Sequence, residues 1–324
     1  MATAREWVTG ARPRTLPMAI CPVLIGAAAA WPQYLGPLDF ATVDRLPPNV
    51  NALIPVVALL ALVVALALQV GVNYSNDYSD GVRGTDDVRV GPQRLTASGL
   101  AAPKQVKYAA FGSFGVAGLA GLGMVLLTQA WWILAVGVLC ILAAWWYTGG
   151  SRPYGYRGLG EVMVFVFFGL VATLGTAFAI TEVGRVHGFV VEFPAATAII
   201  GGVSHGLIAS ALLMANNVRD IPTDAEVGKN TLAVRFGQTG ARLAYCLMVA
   251  ISVAIPLGLS FTGYSPWFWL VVLAWPVALP PLITMWPWRK TMPQGVALIP
   301  VLQQTGTLGL AFAAAYSAAL VLSA

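Results

Sequence analysis

Charge is scarce in this sequence. Of 324 residues only 10% are Asp, Glu, Lys or Arg, while 58% are hydrophobic. A soluble domain carries about 25% charged residues, so an ordinary water-solvated globule is excluded. Cysteine is scarcer still. Cys21, Cys140 and Cys246 stand alone in apolar stretches. With no CxxC pair, neither a disulfide framework nor a zinc site is indicated. They read as small buried hydrophobes. There are two histidines, His187 and His205, and neither has a metal-ligand partner at a useful spacing; a packing or hydrogen-bonding role is expected. Low-complexity tracts and a separate polar domain are also lacking.

What remains is apolar sequence in long runs. Charges and prolines mark off nine: residues 15–31, 52–75, 105–128, 131–147, 160–181, 194–217, 239–261, 266–286 and 302–323. Most reach the roughly 20 residues needed to cross about 30 Å of hydrocarbon. In lipid, backbone groups must be satisfied internally, so each run is expected to be a helix. The fourth is short. The expected fold class is all-α: a single polytopic membrane domain over residues 1–324, with nine transmembrane helices.

Orientation follows from the basic residues. With the N-terminus inside and nine alternating crossings, all but Arg45 and Arg185 of the 18 Lys and Arg fall in inside segments. This predicts an N-in, C-out topology. It assigns the net charge of +5 to the inner membrane face rather than to nucleic-acid binding. The first run follows basic residues as a signal peptide would, but eight further spans need no separate signal, and it is read as retained.

Polarity is concentrated in three inside connections, 76–104, 148–159 and 216–238. Two are acidic: NYSNDYSDGVRGTDD at 73–87 and NNVRDIPTDAEVGKNTLAVRFG at 216–237. They lie four helices apart, which suggests two related halves. In the first, Asn73, Asn76, Asp77 and Asp80 share one face of a helix continuing from the second span. Gly81 and Gly84 are expected to loosen the chain before Asp86 and Asp87. In the second, Asn216, Asn217 and Asp220 cluster at a helix end. Pro222 separates Asp220 from Asp224 and is expected to break or kink the helix.

A pair of solvated loop ends is the plain alternative. It fits poorly, because the polar stripes begin inside apolar spans, where an amide needs partners. Facing carboxylates repel unless a cation lies between them. Hard oxygen ligands of this kind suit Mg²⁺, which binds through a few carboxylates plus substrate phosphates. Lys229, Arg83 and Arg152 lie nearby and are candidates for holding phosphate oxygens. The combination suggests a diphosphate substrate with a greasy tail. Metal-assisted departure of diphosphate would leave an allylic cation, which aromatic faces and a dry cavity protect. Tyr147, in AWWYTGG, is the candidate lining residue.

These acidic motifs resemble those of the UbiA superfamily of intramembrane prenyltransferases. ARPRTLP at 11–17, NDYSDGVRGTD at 76–86, YGYRGLGEVMVFVFFG at 154–169 and the 216–237 segment are similar, in that order, to the branch that prenylates 1,4-dihydroxy-2-naphthoate in menaquinone biosynthesis. The resemblance covers essentially the whole chain. It implies a UbiA-like bundle with helical cap loops on the cytoplasmic side of a bacterial inner membrane. It implies a polyprenyl diphosphate donor, 1,4-dihydroxy-2-naphthoate as acceptor, loss of CO₂ and demethylmenaquinone as product. It further implies Mg²⁺ held by Asn76, Asp77 and Asp80, with Asp86 as a further candidate, and by Asp220 and Asp224. Lys229 would bind diphosphate together with Arg83 or Arg152. Asn73 and Asn216 would contribute to substrate binding, and Arg14 and Glu161 would orient the aromatic acid or support the loops. One position departs from the wider superfamily: the last Asp of NDxxDxxxD is replaced by Gly84.

Two other classes stay open at this level. A transporter would place acids near the midplane and polar groups toward the outer face, whereas here the acids lie at inner helix ends. A phosphatidyl-alcohol transferase would carry DGxxAR, where this chain has DGVRGT. Other acceptors within the superfamily, such as 4-hydroxybenzoate, haem or a phospho-sugar, depend on pocket residues that motifs do not locate.

Overall fold

The computed structural model describes residues 2–32, 48–85 and 94–324. Asp86, Asp87, Arg89 and Arg45 lie outside the described residues. Each of the nine apolar runs forms helix. A short amphipathic helix, α1 (Ala4–Gly10), opens the chain behind a capping box from Thr3 and Glu6. A tight 3-10 turn, Pro13–Thr15, leads into α2 (Pro17–Ala30). Then follow α3 (Pro48–Arg83), α4 (Pro103–Thr128) and α5 (Ile133–Trp146). After the 3-10 turn Tyr154–Arg157, one rod is built from α6 (Gly160–Val164), a π-helical stretch (Phe165–Val171) and α7 (Ala172–Val186). The chain continues through α8 (Ala195–Glu226) and α9 (Leu232–Phe261). A 3-10 segment, Pro266–Ala274, runs into α10 (Trp275–Met285), and α11 (Ile299–Leu322) closes the chain. Among the described residues there is no β-strand.

Seven of these helical segments are long and apolar enough to cross a membrane. An eighth crossing is available if Ala4–Thr15 and Pro17–Ala30, bent by 51°, act as one span. At 14 residues, α5 rises only about 21 Å, short of a full hydrocarbon core of about 30 Å. Large apolar side chains, Leu139, Leu119, Leu273 and Ile283 among them, stay exposed on the outer surface of the bundle. Water would not tolerate that surface over so many helices; lipid would.

Of the seven long apolar spans, α8 is the most buried and forms the axis of the bundle. It packs against α9, α11, α2 and the π-helical stretch. Small residues let the backbones close up, as in other membrane bundles. A Cβ on Gly169 would lie 2.6 Å from Gly206 Cα, so the π-helical stretch and α8 touch backbone to backbone there.

Two expectations about helix ends need correction. Pro222 does not break α8, which runs unbroken to Glu226. A proline removes the hydrogen bond to the carbonyl four residues back, here Val218. The Gln238 side-chain amide, from α9, donates to that carbonyl at 3.4 Å. The helix therefore continues, and Asp220 and Asp224 share a face. Gly81 is likewise not a loosening point. It lies inside α3, and a Cβ there would sit 2.5 Å from Thr96 Cγ2; glycine serves close packing of the 94–97 segment. Gly84, at φ 72°, is where the chain turns left-handed and α3 stops.

Candidate active site

The C-terminal ends of α3 and α8 open on one cavity of about 840 Å³. Its polar end is lined by Asn76, Asp77, Asp80, Asn216, Asp220, Asp224 and Lys229. Beyond these the wall turns apolar, with Leu68 and Val64 of α3, Val136 of α5, and Phe167 and Phe168 of the π-helical stretch. A charged head and a long greasy tail match that division.

The three polar connections singled out in the sequence meet at Tyr156. Its hydroxyl donates to Asp80 Oδ1 at 2.6 Å and pairs with Thr85 Oγ1 at 3.3 Å. Its backbone carbonyl accepts from Asn230 N at 2.9 Å, and Arg235 reaches the neighbouring Arg157 carbonyl at 2.8 Å. This fastens the loop after α8 onto the 154–157 turn. Lys229 is thereby delivered to Asp80, with Nζ 3.3 Å from Oδ2 and 4.7 Å from the Tyr156 ring centroid. Burial, then the Asp80 carboxylate, push the Tyr156 phenol well above its ordinary pKa; it remains a donor at neutral pH.

The carboxylates differ in their partners. Asp77 is buried and accepts the backbone N–H groups of Leu95 and Thr96, each at 2.8 Å. It anchors the chain returning from the first acidic loop, and lone pairs remain on its oxygens. Asp220 is held in a fork by Arg219, at 2.6 and 2.7 Å. Asp224 lines the cavity one turn on. Asn76 Oδ1 accepts from Thr148 at 2.8 Å, linking α3 to the end of α5.

The other expected residues fall in three groups. Asn73 and Asn216 line the cavity, but the Asn73 amide is engaged with the Ala11 carbonyl at 2.8 Å and with Thr15 at 3.2 Å. Tyr147 lines it too, its ring edge-on to Tyr154. Arg83 and Arg152 lie outside it: Arg83 holds the Thr148 and Gly150 carbonyls and stacks over Tyr156, and Arg152 is exposed. Glu161 is buried behind the wall, where Asn217 donates to Oε1 at 2.9 Å and Oε2 has no partner among the described residues. Arg14 lines the cavity from an exposed position. Asp86 lies outside the described residues.

Tyr156, Thr148, Arg219 and Arg12 were not singled out by the motifs. Arg219 sits beside Asp220 in sequence, and a buried carboxylate calls for a cation. Tyr156 and Arg12 lie in segments already conspicuous, YGYR and RPRTLP, but nothing local says which side chain turns inward.

The carboxylates suit a divalent cation of one kind. Among the described residues no three His, Cys, Asp or Glu gather into a self-sufficient cage. They are instead split between two helices across a cavity. That sparse, all-oxygen set fits Mg²⁺, which keeps waters and shares itself with substrate phosphates.

Residues 19–298 match the UbiA prenyltransferase family. The chain is 45% identical over 321 residues to a 1,4-dihydroxy-2-naphthoate octaprenyltransferase of Mycobacterium tuberculosis, covering 99% of this chain and 98% of that one. It is 37% identical to the Escherichia coli enzyme of the same name, covering 86% and 83%. Among solved structures it resembles a UbiA homolog from Archaeoglobus fulgidus bound to DMAPP and Mg²⁺, with TM-score 0.61, 15% identity and coverage of 98% and 99%. The apo structure of a UbiA homolog from Aeropyrum pernix is alike to the same degree, with TM-score 0.61, 14% identity and 99% coverage of each chain. At such identities the structural likeness speaks for the fold.

Proposed function

The chain belongs to the UbiA prenyltransferase family, and from that premise we propose that it transfers a polyprenyl group from polyprenyl diphosphate to 1,4-dihydroxy-2-naphthoate, with loss of CO₂ and diphosphate, giving the hydroquinone form of demethylmenaquinone, whose oxidation to the quinone is a separate step. The observation that carries the reading is the convergence of Asp80, Asp220, Asp224 and Lys229 on the polar end of a cavity whose other walls are apolar.

Asp80, Asp220 and Asp224, with Asn76 and Asp77 beside them, would hold Mg²⁺. When bound there, the cation would supply charge neutralisation that makes diphosphate a better leaving group. Lys229 adds a point charge. Tyr156 and Arg219 hold Asp80 and Asp220 in place, so the site is ordered before substrate arrives. The allylic C–O bond breaks and its electron pair leaves with diphosphate. Phe167, Phe168 and the Tyr147 ring line the space where the cation forms, offering π faces and excluding water. The ring carbon bearing the carboxyl group supplies the electron pair for the new C–C bond. The bond to the carboxyl carbon then breaks, its pair returns to the ring, and CO₂ departs. No proton leaves that carbon, so no base is needed beside it. Neither histidine lines the cavity.

The chain is read as crossing a bacterial inner membrane nine times, N-in and C-out, with the acidic end facing the cytoplasm. The bent α1–α2 pair and the short α5 supply the two crossings that length alone does not assign. The basic-residue pattern supports the orientation.

The test is product analysis. Detergent-purified protein is given geranylgeranyl diphosphate and 1,4-dihydroxy-2-naphthoate, with and without Mg²⁺. Mass spectrometry is expected to find Mg²⁺-dependent prenylated naphthohydroquinone, together with the quinone that air oxidation forms from it. Turnover only with 4-hydroxybenzoate would move the protein to another branch; none with any acceptor would remove the reading.

A further inference from the structure

Arg12 has an unusual backbone. It adopts φ 54°, ψ 68°, the left-handed region that non-glycine residues rarely occupy. It also precedes Pro13, and a residue before proline prefers extended backbone. The surrounding contacts impose this conformation. Asn73 holds the Ala11 carbonyl and Thr15 Oγ1, Gln69 donates to Thr15 at 3.2 Å, and the Tyr74 hydroxyl donates to the Trp7 carbonyl at 2.9 Å. Strain of this sort persists where neighbours over-determine it, and it clusters at functional sites.

The side chain is equally out of the ordinary. Arg12 lines the same cavity as the acidic clusters, and its Nη2 is buried with no hydrogen-bond partner among the described residues. A guanidinium nitrogen left unpaired in an apolar setting is costly. A ligand that completes it would be bound strongly. Arg12 sits at the depth of Asn73, seven residues before Asp80 along α3, or roughly 10 Å along the axis. The backbone that carries its guanidinium is thus set back from Asp80. Val8, Met18, Leu68 and Val72 line the same cavity and supply apolar wall. A planar cation in an apolar slot fits a planar aromatic acid: the carboxylate takes the fork and the rings take the walls.

We propose that Arg12 binds the carboxylate of the aromatic acceptor and so selects a carboxylated ring over a neutral one. This rests on the acceptor class proposed above and adds the residue that recognises it. It also accounts for the strained turn, which holds the guanidinium toward the cavity.

The test uses the full-length protein in detergent and two probes, 1-hydroxy-2-naphthoate and 1-naphthol, which differ by the carboxylate. Binding is followed by probe fluorescence. Wild type is expected to prefer the acid, and Arg12→Gln to weaken acid binding on the order of 100-fold while changing naphthol binding less than about threefold. The KM for geranylgeranyl diphosphate should stay within about twofold. Arg12→Gly, which suits the left-handed backbone, should show the same selective loss. A wild-type preference that survives both substitutions overturns the assignment and leaves the acceptor class intact. Equal loss of both probes means a structural role for Arg12 and overturns it too. No preference in wild type removes the carboxylated acceptor itself, and the assignment with it.

Discussion

Asp80 carries two partners at once, the Tyr156 hydroxyl on Oδ1 and Lys229 on Oδ2. A buried carboxylate needs that much company, and each partner comes from a different connection. Replacing Tyr156 by Phe removes a hydrogen bond to a charged group, worth about 1.5–3 kcal/mol, and frees Asp80 to swing. We expect a lower thermal midpoint in detergent and a raised donor KM. The pH sign follows from the raised phenol pKa. The stabilisation is whole below the unfolded phenol value near 10, because both states are then protonated. It is lost as pH rises through the higher folded value, since the unfolded chain ionises first. Midpoints measured from pH 8 to 11 should therefore converge between wild type and Tyr156→Phe at the alkaline end; a constant gap would contradict this. The acids themselves were legible, because Asn73, Asn76, Asp77 and Asp80, two amides and two carboxylates at i, i+3, i+4 and i+7, have few uses at a membrane face. The Tyr156 contact was not, since it joins positions 76 residues apart and no local pattern encodes it.

The helices were legible from apolar length alone, which in lipid leaves little choice of structure. Where helices stop was not. The proline rule predicted a break at Pro222, and it failed because Gln238 on α9 takes up the orphaned Val218 carbonyl. Gln238→Glu removes that donor but keeps an acceptor for Arg242, which donates to Oε1. It should cost about 1–3 kcal/mol and lower the thermal midpoint. Pro222→Ala restores the helical N–H and should rescue most of the loss; a double-mutant cycle with no coupling would contradict the explanation. A second element-scale prediction concerns the π-helical stretch. Gly169→Ala puts a methyl 2.6 Å from Gly206 Cα, so two backbones must part. Overpacking of this kind costs about 1–3 kcal/mol, and because Phe167 and Phe168 line the cavity on that stretch, activity on long prenyl donors should fall with stability.

For the whole molecule, the basic residues forecast one orientation, and cysteine labelling checks it. In a protein with Cys21, Cys140 and Cys246 replaced by alanine, a cysteine at Ser151 should react only after the inner membrane is permeabilised. One at Gly188 should react from outside. The reverse pattern would invert the topology and place the acids on the wrong side for a cytoplasmic donor. The two acidic motifs could be read from the sequence, while the cavity that joins them could not, because its walls come from helical segments spread along the chain from Val8 to Leu302. The claim at the centre is that the ends of α3 and α8 act on one diphosphate. The direct test is Mg²⁺-dependent binding of geranylgeranyl thiolodiphosphate, a poorly ionising donor analogue, to wild type, Asp80→Asn and Asp220→Asn. The account predicts that either substitution alone weakens Mg²⁺-dependent binding by ~100-fold or more, while the folded protein still elutes as a single species. Undiminished Mg²⁺-dependent binding in either variant would contradict it.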